Sequence, residues 1–97
     1  MMLHTVSSSP FSSSSLSNCL RYSDVNSEIL LIEDAVIAAI DSGQWQQTLT
    51  SCGRRIYVLR EDVVARGINE ENIKSAELVD IKGFVSLTER HVTQMKW

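Results

Sequence analysis

No glycine-rich phosphate loop, no Gly-x-Ser-x-Gly elbow and no Cys-x-x-Cys pair occurs in this chain of 97 residues, which has four glycines, one proline and two cysteines. Nucleotide-cradling, serine-hydrolase and thioredoxin-like chemistries therefore lack their usual sequence forms. Basic charge is not in excess either. Nine Lys and Arg stand against twelve Asp and Glu, a net charge of −3 with a pI near 5.2, which argues against a broad phosphate-gripping face. No apolar run approaches the roughly 20 residues of a membrane-spanning helix. Met1-Met2-Leu3-His4-Thr5-Val6 has neither the basic region nor the long apolar core of a secretory leader. Two cysteines without such a leader predict free thiols in a reducing, cytoplasmic setting.

What is present is enough apolar material for a small globular core. The hydrophobic fraction is 43%, well above that of a disordered chain. At this length only about 60–65% of the unfolded surface leaves water on folding, so one marginally stable domain over 1–97 is expected.

The stretch from Glu28 to Ile40 organises the rest. Ile29-Leu30-Leu31-Ile32 is an unbroken apolar run, the signature of a strand buried on both faces of a parallel sheet. At Glu33-Asp34 the period changes. Ala35, Val36, Ala39 and Ile40 follow helical spacing, and Asp34 is placed to cap that helix. A strand running straight into a helix is half of a βα unit.

Further units flank it. Met2 to Val6 reads as a first strand, with His4 at the edge or end of a sheet and bonded to backbone, since no second ligand stands at metal-like spacing. Ser9-Pro10 is a helix-start signature, and Leu16, Cys19 and Leu20 form one stripe, predicting a helix from about Pro10 to Tyr22. Its serines make it dependent on packing. Asp41-Ser42-Gly43-Gln44 stops the central helix, and Trp45 to Leu49 reads as a helical turn. Ile56 to Leu59 is a third strand, with Arg54-Arg55 at its solvated end. Arg60 to Arg66 forms a dipole-matched helix that Gly67 caps in the left-handed region, with Ile68 as the apolar contact back. Asn69 to Ser75 is a loop, and Glu77 to Ile81 alternates as an edge strand. Lys82-Gly83 then turns the chain into a short helix over Phe84 to His91. The terminal Trp97 is expected to dock on the domain or on a partner.

This alternation predicts an α/β fold with a parallel sheet and right-handed crossovers. Sites in such sheets gather at strand C-terminal ends, which here offer Ser7 to Ser9, Glu33-Asp34, Arg60 to Asp62, and Asp80. Adjacent carboxylates at a strand-to-helix turn read as a cap and its neighbour, not as a general base. Cys19 falls on a buried stripe near a helix C-terminus, where the dipole raises a thiol's pKa, and so reads as a small inert hydrophobe. Cys52 falls in a loop, Thr50-Ser51-Cys52-Gly53, and reads as exposed and incidental. No residue cluster calls for a cofactor or metal, which favours an interaction subunit over an enzyme. The edges of so thin a sheet would be protected by oligomerisation.

The order of these motifs resembles the TusB/DsrH family of sulfur-relay subunits. The residues concerned are Met2-Leu3-His4-Thr5-Val6, Ser9-Pro10-Phe11, Leu30 to Val36, Tyr57-Val58-Leu59, Glu61-Asp62 and Ala65-Arg66-Gly67. Asp80, Gly83-Phe84-Val85, Leu87-Thr88, His91 and Gln94-Met95-Lys96-Trp97 continue the match. The likeness is weakest over 44–54 and 68–76, and His91 to Trp97 looks more like the TusB branch than the DsrH branch. It implies a small three-layer, flavodoxin-like sheet of the DsrEFH type, with four to five strands and helices on both faces. It also implies a cytoplasmic, non-catalytic subunit of a TusBCD-type heterohexamer with TusC- and TusD-like chains. That complex takes persulfide sulfur from a TusA-like carrier and passes it through a TusE-like one, toward 2-thiolation of the wobble uridine in tRNA. Neither direct nucleic-acid nor membrane contact is implied. The alternative is a DsrH-like subunit of a DsrEFH complex in sulfur oxidation, with Cys19 as the candidate persulfide site; a free-standing regulatory domain is more remote. The central βα unit and the C-terminal tail are the expected subunit contacts.

Overall fold

The computed structural model describes residues 2–40, 43–91 and 93–97. The helix stop expected at Asp41-Ser42, and Val92 of the tail, lie outside them. In chain order the elements are β1 (Met2–Val6), α1 (Ser15–Tyr22), β2 (Glu28–Leu31), a 3-10 helix (Glu33–Ala39), α2 (Gln46–Ser51) and β3 (Arg55–Leu59). There follow α3 (Arg60–Ala65), a 3-10 turn (Glu70–Asn72), β4 (Glu77–Val79), α4 (Ile81–Arg90) and β5 (Thr93–Lys96).

All strand pairings are parallel, in the order β4-β3-β2-β1-β5. From β1 to β4 the chain steps across the sheet in one direction, and from β4 to β5 it returns past three strands. With crossovers of one hand, that reversal puts α4 on the opposite face from the earlier helices. Side-chain packing agrees. Val6, Ile29, Leu31, Ile56 and Val58 pack with Leu16 and Cys19 of α1, Leu49 of α2 and Val63 of α3. The alternate strand residues Leu3, Leu30 and Tyr57 pack with Leu87 and Phe84 of α4. The result is a three-layer, flavodoxin-like α/β sheet, with β2 buried at all four positions as its apolar run required.

Four local expectations give way to competing physics. The segment from Pro10 is a turn held by Ser9, whose hydroxyl accepts from the Phe11 N–H and whose carbonyl accepts from Ser12 and Ser13. The α-helix starts only at Ser15, because successive serines offer the backbone local bonds that compete with helix. After β2 the chain forms a 3-10 helix, burying Ala35 and Ala38, and Val36 and Ala39, in rows three residues apart. Asp34 does not cap it. Lys82-Gly83 lies inside α4, whose N-cap is Asp80 with its carboxylate accepting from the Gly83 N–H at 2.9 Å. A Cβ on Gly83 would sit 3.0 Å from the Val79 Cβ, so only glycine lets this turn approach β4 so closely. Finally, the tail is a strand: Thr93–Lys96 pairs with β1 and closes the sheet.

At the end of α3 the local chemistry behaves as expected. Gly67 has φ +71°, its N–H donates to the Val64 carbonyl, and the Ile68 N–H donates to Val63 at 3.1 Å. With Ile68 packed on the core beside Val63, this is a complete Schellman ending.

Glu33 is the one non-glycine residue with positive φ among the described residues, at +50°. An L-residue there costs roughly 1–2 kcal/mol. Asn tolerates this region better, so Glu33→Asn is expected to stabilise the chain by about 0.5–1 kcal/mol. The urea midpoint should rise at unchanged slope; a lower midpoint would contradict the strain.

Candidate functional site

The charged groups at the strand C-terminal ends are mostly held by one another. Asp62 reaches from α3 to accept the Glu33 N–H at 2.7 Å, fixing the left-handed turn after β2. Asp34 pairs instead with Arg66, with Nη2 3.0 Å from its carboxylate, tying the 3-10 helix to the end of α3. Arg60 pairs with Glu70, and Asp80 caps α4. The structure thus brings the expected Glu33-Asp34 and Arg60 to Asp62 together, but as turn and helix clamps. Among the described residues, no group of three or more His, Cys, Asp or Glu is placed to hold a metal ion, and no helix is long and apolar enough to cross a membrane.

Cys19 lies inside the core on the inner face of α1, with no solvent exposure. Burial pushes its thiol up to about 12, against the smaller downward pull of Arg54. At neutral pH it is a thiol, not the thiolate that nucleophilic sulfur chemistry requires. Cys52 is half-buried rather than exposed. It packs against the core just after α2, its Sγ 3.2 Å from the Leu49 carbonyl. Arg54 is more than a flank of β3: its guanidinium donates to the carbonyls of Cys52 at 2.9 Å and Ser23 at 2.6 Å, joining the loops beneath α1.

Two buried polar assemblies escape a local reading of the sequence. In the first, Glu28 at the start of β2 accepts from Arg90 Nη2 at 2.7 Å and from the Tyr57 hydroxyl at 3.0 Å. His91 Nε2 lies 2.9 Å from the same carboxylate, and its Nδ1 is 2.8 Å from the Leu87 carbonyl. Burial pushes the Glu28 carboxyl up, but the hydrogen bonds from Arg90 and Tyr57 outweigh it and leave the group below its ordinary range. The available signal was a glutamate heading a strand otherwise apolar on both faces, since carboxylates are rarely buried unpaired.

The second assembly joins the two ends of the sequence. β1 is an inner strand, so His4 does not sit at a sheet edge, and its partner is not backbone. The Trp97 indole N–H donates to His4 Nδ1 at 3.0 Å, and the Trp97 N–H donates to the Thr5 carbonyl at 2.8 Å. Tyr22 packs edge-on against the same indole, with centroids 5.7 Å apart. Trp97 therefore docks on its own fold.

These features can be set beside known proteins. The family model described as "DsrH like protein" matches residues 8–94. The chain is 40% identical over 96 residues to Protein TusB of Pectobacterium parmentieri and 35% identical over 96 residues to Protein TusB of Escherichia coli K12. Each alignment takes in 99% of this chain and the whole of the relative. Among solved structures, the ychN protein of E. coli matches with a TM-score of 0.79 at 19% identity, over 99% of this chain and 97% of that one. MTH1491 of Methanobacterium thermoautotrophicum, a protein of unknown function, matches with a TM-score of 0.66 at 13% identity, over 99% and 96%. Those two likenesses speak for the fold, and the full-length identities speak for descent: the chain belongs to the DsrH/TusB family.

Proposed function

We propose that this chain is a non-catalytic, cytoplasmic assembly subunit of a TusBCD-type sulfur-relay complex serving 2-thiolation of wobble uridine in tRNA. Its partners are TusC- and TusD-like chains in a heterohexamer, with TusA- and TusE-like carriers before and after. One observation carries the non-catalytic part. Cys19, the candidate persulfide site, is sealed in the core with its thiol pushed up to about 12, so it offers neither access nor a thiolate. The net charge of −3 supports a subunit that does not itself grip RNA.

The contact surfaces need revision. The central βα unit spends its apolar residues internally, with Ala35, Val36, Ala38 and Ala39 all buried, and so offers little to a partner. Exposed apolar side chains lie elsewhere. Tyr22, 68% exposed, stands beside Trp97 at the β5 edge, while Val64 and Ile81, 56% and 49% exposed, stand near the β4 edge. Both edges present unpaired backbone, which a neighbouring subunit would cover.

The test is to co-express the full chain with TusC- and TusD-like chains, isolate the complex, and map added sulfur by mass spectrometry after incubation with a persulfide donor. Cys19→Ala is expected to leave assembly and sulfur flow unchanged while costing about 1 kcal/mol of stability from the lost buried sulfur. One added sulfur on Cys19 that passes onward would replace this reading with the DsrEFH-type one.

A further inference from the structure

A crevice of about 390 Å³ opens at the C-terminal ends of β1, β2 and β5, beneath α4. Its size is that of a small-molecule pocket. It also lies where the sheet order turns: β1 has β2 on one side and β5 on the other, and the chain reaches β5 only after crossing back from β4. In open parallel sheets, the ends of strands at such a reversal form a ready-made cleft.

The chemistry of the lining is uneven in an informative way. Phe84 gives it an aromatic wall, and Trp97 meets it at its edge, its indole turned to His4 and Tyr22. Gln94 and Thr88, which also line it, are committed: the Gln94 amide donates to the carbonyls of Thr88 and His91, and the Thr88 hydroxyl to that of Val85. Glu33 and Lys96 are not committed. Neither side chain has an ion-pair or hydrogen-bond partner among the described residues, nor do the hydroxyls of Thr5 and Ser7 beside them. Glu33 reaches the rim from the left-handed backbone that Asp62 holds.

We propose that this crevice binds a small zwitterion of the amino-acid class, its carboxylate toward Lys96 and the Thr5 and Ser7 hydroxyls, its ammonium toward Glu33. An apolar body would lie against Phe84 and Ile32. A simple anion or amine satisfies one of the two opposed charges and leaves the other unmatched, whereas a zwitterion satisfies both. This site is separate from Cys19 and does not depend on the sulfur-relay reading.

The test is a nitrogen–proton correlation titration of the full chain with L-leucine, in parallel with acetate and with n-butylamine. Saturable shifts are expected at the amides of Ser7, Glu33 and Lys96 with L-leucine. Acetate and n-butylamine should bind at least about tenfold more weakly. Lys96→Gln and Glu33→Gln, both at exposed positions, should each weaken L-leucine about tenfold and leave the rest of the spectrum in place. The proposal falls if L-leucine gives no saturable shift, if acetate or n-butylamine binds as well, or if the two variants bind L-leucine unchanged.

Discussion

Replacing Glu28 by Ala is expected to lower the unfolding free energy by about 2–4 kcal/mol, a large fraction of the 5–15 kcal/mol typical of small domains. The carboxylate is 8% exposed and gathers Tyr57, Arg90 and His91. Its loss strands the buried Tyr57 hydroxyl without an acceptor and leaves Arg90 and His91 without the carboxylate beside them, and leaving a buried group unpaired costs more than the bond contributed net. Arg90 matters less, because its side chain is 55% exposed and water can replace its partner. Arg90→Gln should therefore cost under about 1 kcal/mol, and Glu28→Gln, which keeps an acceptor oxygen for Tyr57, about half the alanine value. Thermal melting should show the alanine variant down by on the order of 10–20 °C. The acid limb carries an independent signature. The fold holds Glu28 below its ordinary pKa, so as pH falls below about 4.3 the unfolded chain takes up the proton first. The contribution is complete above that pH and is lost as pH falls through the lower, folded value. Glu28→Gln should flatten that part of the stability curve; an unchanged curve would show that another carboxylate governs it.

The parts of the fold legible in the sequence are those whose cause is local. Four apolar residues before Glu33 specify a doubly buried strand wherever they fall, and Gly67 after Arg66 ends a helix by backbone geometry alone. β5 had no comparable signal. Three of its four residues are exposed, and its only claim to strand is the register it takes from β1. The 3-10 helix was misread as one of 3.6-residue period because Ala35, Val36 and Ala39 fit both periods; its hydrogen bonds, from the Ala35 N–H to Ile32 and from the Ile40 N–H to Ile37, span three residues instead of four. Lys82-Gly83 looked like a turn, yet the glycine serves close approach to Val79 within a helix. The burial of Cys19 was readable from its stripe, but Cys52 was not readable as half-buried, since its burial comes from core packing that no local pattern announces. The Glu28–Arg90 pair spans 62 positions and the His4–Trp97 pair 93, distances over which no periodicity carries information.

Removing Gln94 to Trp97 is expected to damage the fold itself, by at least about 3 kcal/mol, before any loss of assembly is considered. The deletion removes the partners of Leu3, His4 and Thr5, and both hydrogen bonds made by Trp97. His4, 1% exposed, would lose its donor and its cover together. Trp97→Phe isolates one part of this. The ring packing largely survives while the indole N–H disappears, so the expected cost is about 1–2 kcal/mol for an unpaired buried acceptor. The pH dependence separates that loss from a packing defect. Burial first, and then the charge of Arg54, hold His4 below its ordinary pKa, so the folded state keeps it neutral. Below about pH 6.5 the unfolded chain binds the proton more readily, and stability falls with pH until the folded value is passed. In Trp97→Phe, His4 Nδ1 is free to take a proton, so the histidine should titrate nearer its ordinary value by NMR and the loss of stability near pH 6 should shrink. If the truncated chain kept its circular dichroism and urea midpoint while failing only to join its partners, the tail would be a docking device, and its place as a strand of the sheet would have to be given up.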